Sequence, residues 1–135
     1  MASDSHFQQL LAAALAQPEP HRLLFVFAAA ELPEDATAEQ RDRFLAGQGG
    51  ALSPLMCVDK APTELSGFAD LVEESRRAGP PWSMVFAGAL GGRAGRPPAE
   101  AEIDQALQMM VEAVRDGAFA RFTAYDAEGA VVAFD

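Results

Sequence analysis

The sequence predicts a layered α/β domain, with a mixed, mostly parallel central sheet of about five strands, about four helices and a C-terminal hairpin. Three observations predict it. Amphipathic helical stripes alternate with apolar strand-like runs along the whole chain, the order from which α/β layers are built. The run "RLLFVFAAA", residues 22–30, is apolar at both alternating sets of positions, as in a central strand covered on two faces. Half of the 135 residues are apolar, so one domain spanning 1–135 holds enough core to need neither a metal nor a disulfide.

The first helix follows from Phe7, Leu10, Leu11, Ala14 and Leu15, which fall on one helical stripe. Ser3 or Ser5 can cap its start, and Pro18 and Pro20 stop it. After the strand at 22–30, Thr37 and Gln40 have capping-box spacing and open a short helix that runs through Phe44 and Leu45 to Gly47. "GQGGALSP" reads as a loop and "LMCVD" as the second strand. Pro62 and Thr63 open a third helix with the stripe Phe68, Leu71, Val72 and Ser75, and Glu73 lies four residues before Arg77 in the favourable order. "WSMVFAGAL" is the third strand and "GGRAGRPP" a loop. The longest helix carries Ile103, Leu107, Met110, Val111 and Val114 and closes at Gly117. "ARFTAYD", the turn "AEG" and "AVVAF" make the terminal hairpin. "FVFAAA" and "MVFAGA" rhyme, which an internal duplication and convergent strand composition explain equally well.

Charge narrows the partners. Twenty acidic residues against ten basic give a formal charge of −10, which opposes nucleic acid and anionic membranes, because both are bound through Lys and Arg. It serves solubility, or steers a basic protein partner. The N-terminus opens with Asp4 and His6 rather than a basic stretch, and no apolar run has the length of a membrane span. With one cysteine and no disulfide framework, the expectation is a cytoplasmic protein with no nucleic-acid or membrane partner.

Few residues suggest chemistry. Alternation puts Leu55, Cys57 and Asp59 on one face of the second strand and Met56, Val58 and Lys60 on the other. Apolar neighbours on both sides of Cys57 predict a buried, inert thiol. "GALGGRAGRPP" stands between a strand and a helix, where glycine-rich loops cradle phosphates, and Arg93 and Arg96 supply charge. Its glycines match neither the dinucleotide nor the Walker spacing, and Glu100, Glu102 and Asp104 already occupy the following helix start. Glu31, Glu34, Asp35 and Asp59 match no calcium loop, and the two histidines have no zinc spacing, so neither a metal nor any other cofactor is expected. No glycine-flanked nucleophilic serine is present, and no catalytic residue is assigned. Trp82 reads as a core-edge anchor, or with Pro80 and Pro81 as the rim of a binding face.

At "RLLFVFAAAELP", "GQGGALSPLMCVDK" and "LVEESR" the chain resembles a family of small bacterial proteins of about this length, which often carry the label "ribonucleotide reductase subunit alpha". That label implies a thiyl radical and further reducing cysteines within a much larger barrel. Cys57 is alone in 135 residues and supplies neither, so the resemblance transfers no functional residue.

These readings lead to a non-enzymatic, acidic interaction or accessory domain that forms a homo-oligomer or binds a protein partner, through strand edges or the longest helix, whose apolar side Met109 and Met110 widen. The alternative is a small-molecule or anion binder, or an enzyme, in which Glu31, Asp59, Lys60, Arg93 and Arg96 gather at the carboxyl ends of the strands and the 88–98 loop. A binder requires one enclosed pocket where those side chains meet. An interaction domain requires open apolar surface with the polar groups dispersed.

Overall fold

The computed structural model of the chain describes residues 5–31, 37–45, 51–118 and 121–132. Helix α1 (His6–Leu15) starts at Ser5, whose hydroxyl accepts from the Gln8 N–H at 3.1 Å. It buries Phe7 and Leu11 and leaves Leu15 exposed. Strand β1 (His21–Glu31) follows. Thr37 and Gln40 bond reciprocally at the start of α2 (Ala38–Leu45), as their spacing predicts, while the expected stop at Gly47 lies outside the described residues. Strand β2 (Ala51–Lys60) begins four residues earlier than its apolar run and includes Pro54, in a stretch that reads as loop.

Pro62–Glu64 forms a short 3-10 turn, and helix α3 (Phe68–Ala78) starts only after Gly67. Strand β3 (Met84–Gly91) leads to α4 (Glu100–Arg115), which buries Ile103, Leu107, Met110 and Val114 and ends before Gly117 at φ 78°. Strands β4 (Thr123–Asp126) and β5 (Val131–Val132) form the expected terminal hairpin, turned at Gly129 with φ 88°.

The strand order is β2-β1-β3-β4-β5, and every neighbouring pair is antiparallel. The expectation of a mostly parallel sheet is therefore incorrect. A helix between two strands makes them parallel only if the connection carries the chain back across the sheet to its starting end. The segment containing α2 does not do so, because Glu31 at the end of β1 is partnered with Ala51 at the start of β2. Strands β2 and β3 do share a direction, but β1 lies between them. The apolar run in β1 reports cover on two faces, and that condition is independent of strand direction.

That cover divides the molecule. Leu23, Phe25 and Phe27 of β1 join Phe7, Leu11, Leu71, Trp82 and Tyr125 beneath α1 and α3. Leu24, Val26 and Ala28 join Phe86 and the inner stripe of α4 on the opposite face. Phe7 packs edge-on against both Phe68 and Tyr125, with ring centroids 5.2 and 5.6 Å apart. Full burial of each such ring contributes roughly 1.5–3 kcal/mol. Trp82 is buried as the core-edge anchor: its indole N–H donates to Ser75 Oγ at 2.7 Å, and that hydroxyl donates to the Val72 carbonyl.

Candidate functional site

Antiparallel pairing decides where the candidate binding residues stand. Asp59 and Lys60 are partnered with Leu24 and Leu23 at the start of β1, and Gly91 at the end of β3 is partnered with His21. Asp59, Lys60, Arg93 and Arg96 therefore belong to one end of the sheet. Glu31 ends β1 eight positions beyond Leu23, about 25 Å away at the rise of an extended strand. The carboxyl ends of neighbouring strands point in opposite directions, so they form no common crevice.

At the shared end Asp59, Lys60 and Arg93 are paired within the chain, whereas the Arg96 side chain makes no ion pair among the described residues. Arg22 binds Asp59 through Nη2 at 2.6 Å and Nε at 3.0 Å, and reaches Glu64 at 3.2 Å. The Ala61 N–H, followed by the nearby charges of Arg22 and Lys60, holds the Glu64 carboxyl below its ordinary value. Lys60 Nζ donates to Glu74 on α3, and Arg93 reaches Glu102 at 3.4 Å.

The glycine-rich loop is likewise occupied. Arg93 and Arg96 exchange backbone hydrogen bonds around a tight turn whose central residues, Ala94 and Gly95, have φ of 52° and 75°. The Gly92 N–H donates to the Pro20 carbonyl, and the Gly95 N–H donates to the Glu19 carboxylate at 2.7 Å. The donors that would cradle a phosphate are spent on the protein's own oxygens, one of them a carboxylate.

Cys57 corrects the expectation of a buried thiol, because it is exposed. Strand β2 closes one side of the sheet with β1 as its only strand neighbour among the described residues, so an apolar run is not enough to seal it. The register also shifts between Phe27 and Ala28, leaving Leu55 as the extra residue of a bulge, packed on the α1/α3 face with Met56 and Val58 rather than on the face of Cys57. Partial burial pushes the Cys57 thiol up, and the carboxylates of Asp59 and Asp104 push it further. These surroundings suppress the thiolate, whereas a nucleophilic cysteine needs a positive partner.

Three of the open surfaces are mainly apolar, whereas a fourth, of about 480 Å³ on α3, is lined by Asp70, Glu73, Glu74 and Arg77. A recess of about 220 Å³ between β2 and α3 is lined by Phe27, Met56, Val58, Leu71 and Ala78 together with Cys57, Glu74, which pairs with Lys60, and Ser75, whose hydroxyl is already engaged. A groove of about 390 Å³ beside α1 includes His6 and His21. His6 Nδ1 lies 2.8 Å from the Tyr125 hydroxyl, and His21 Nδ1 lies 2.9 Å from the Glu19 carbonyl, so each ring has one nitrogen occupied. A third groove of about 470 Å³ runs between α4 and β3. None of Asp59, Lys60, Arg93 and Arg96 lines these three surfaces.

Among the described residues no group of three or more His, Cys, Asp or Glu converges on a metal position, and no helix is long and apolar enough to cross a membrane. The openness of β2 had a signal in the sequence: proline inside a strand belongs at a sheet edge. Pro54 gave it, and placing "GQGGALSP" in a loop concealed it. No protein-family model, curated protein or solved structure matches the chain.

Proposed function

We propose that this protein is a non-enzymatic, acidic interaction domain of the bacterial cytoplasm that associates with a second copy of itself through the outer edge of β2. The reading rests on one observation: β2 is a ten-residue terminal strand with no buried side chain among its described residues, beside a β1 that is buried on both faces. The backbone N–H and C=O groups on the outer side of such a strand accept another strand. Pro54 and the bulge at Leu55 break the edge toward its start, leaving Met56–Lys60 as the continuous segment for pairing. The lone thiol fits a reducing compartment. The self-paired polar end of the sheet and the suppressed Cys57 thiol support the non-enzymatic part.

Charge makes the partner testable. Two chains of −10 repel one another, and salt screens that repulsion. Sedimentation equilibrium at tens of micromolar is expected to give a dimer that tightens with added salt. Cys57→Lys, which sets like charges near one another across the joined strands, is expected to give a folded monomer. A strict monomer for the wild-type chain contradicts self-association. An assembly with a basic partner that weakens with salt assigns the edge to a different protein.

A further inference from the structure

Helix α4 has more apolar surface than its core contact uses. Ile103, Leu107, Met110 and Val114 form the buried stripe. Ala106, Met109 and Ala113 form a second one beside it, at offsets of three and seven, and Met109 is 60 % exposed. The small side chains at 106 and 113 leave space between this stripe and β3. Opposite them β3 presents Gly88, where an added Cβ would sit 3.3 Å from Phe122 and 3.6 Å from the Met110 sulfur. The result is the groove of about 470 Å³, within the size range of small-molecule sites. Its one charged lining residue is Arg121, which is exposed and makes no ion pair or side-chain hydrogen bond among the described residues. Arg22 and Arg93, by contrast, are held by carboxylates.

We propose that the groove between α4 and β3 binds a small amphiphilic carboxylate, with its apolar chain along Ala106, Met109 and Ala113 and its anionic group on Arg121. The complementarity favours this class. A single free guanidinium matches a single carboxylate in bidentate geometry, and the apolar walls match a hydrocarbon. An acidic polypeptide brings more negative charge against a chain of −10 than one arginine balances. Flexible methionines adapt to chains of differing shape. The site is separate from the β2 edge, so either proposal can fail without the other.

The test is calorimetric titration of the full chain with dodecanoate and with dodecanol, its uncharged counterpart. Dodecanoate is expected to bind at one per chain and at least about tenfold more tightly than dodecanol, a difference of about 1.4 kcal/mol. Arg121→Gln should remove that preference while leaving dodecanol binding unchanged. Ala113→Trp should fill the groove and abolish binding of both, with the unfolding transition measured to show that the chain still folds. Absence of dodecanoate binding, equal affinity for the two probes, or a preference that survives Arg121→Gln overturns the proposal. A wild-type dimer dissociated by Met109→Lys overturns it too, because a second copy would then occupy the groove.

Discussion

Strands β1 and β2 lie side by side, and both are apolar runs, yet they behave oppositely. In β1 the six residues Leu23–Ala28 are each 4 % exposed or less, with helices over both faces. In β2 no described residue is buried, and Cys57 is open to solvent. The difference teaches that composition places a segment in a sheet, whereas its neighbours decide whether it is sealed. One strand forms the centre of the core, and the other has a strand neighbour on one side only among the described residues.

Truncation gives the largest contrast. Phe25→Ala removes a ring with no exposed surface between β2 and β3 and is expected to cost about 3–5 kcal/mol of unfolding free energy in urea titration. Leu55→Ala, on the bulged, partly exposed strand, is expected to cost about 1 kcal/mol. Equal losses would remove the distinction between the two strands.

Titratable groups sharpen the same contrast. Tyr125 is buried opposite Val85, and burial pushes its phenol up to about 12. The folded chain then holds a proton that the unfolded chain loses near the ordinary value of about 10. Stability is therefore fully present below about pH 10 and falls as pH rises toward 12, by ~3 kcal/mol across the two units. Urea midpoints over that range should show the fall, and Tyr125→Phe should remove it. Because Tyr125 is the only tyrosine, phenolate absorbance follows it directly.

The smallest effect concerns Cys57. Its thiol is accessible but raised, so alkylation of the native chain at neutral pH is expected to proceed a few-fold slower than in urea, with the gap closing once both thiols ionise. Asp104→Asn should speed the native reaction modestly, because it removes one of the carboxylates that oppose the thiolate. A native thiol faster than the unfolded one would contradict the electrostatic account.

Much of the fold was legible in the sequence. The stripes of α1, α3 and α4, the Thr37–Gln40 box, the buried β1 and the terminal hairpin all follow from spacing, because each depends on residues close in the chain. Strand direction was not legible. It depends on whether the segment from Glu31 to Ala51 crosses the sheet or returns beside it, and no local pattern encodes that. The error carried into the site: a crevice at the carboxyl ends requires neighbouring strands with a common direction. Arg22 was also missed as the partner of Asp59, since the two lie 37 residues apart in sequence and meet only through strand register. The extra apolar width of α4 was readable from Met109 and Met110, whereas the place of Arg121 beside that groove, with no ion pair among the described residues, required the structure.

The central claim, that the edge of β2 is open until another strand covers it, is tested most directly by amide hydrogen exchange at increasing protein concentration. In dilute solution the amides of β1 should exchange slowly, while those of Met56–Lys60 that point away from β1 exchange quickly. At concentrations where the chains associate, the outward amides should become protected and β1 should not change. Outward β2 amides that are as slow as those of β1 in dilute solution, or that stay fast in the associated state, would contradict it.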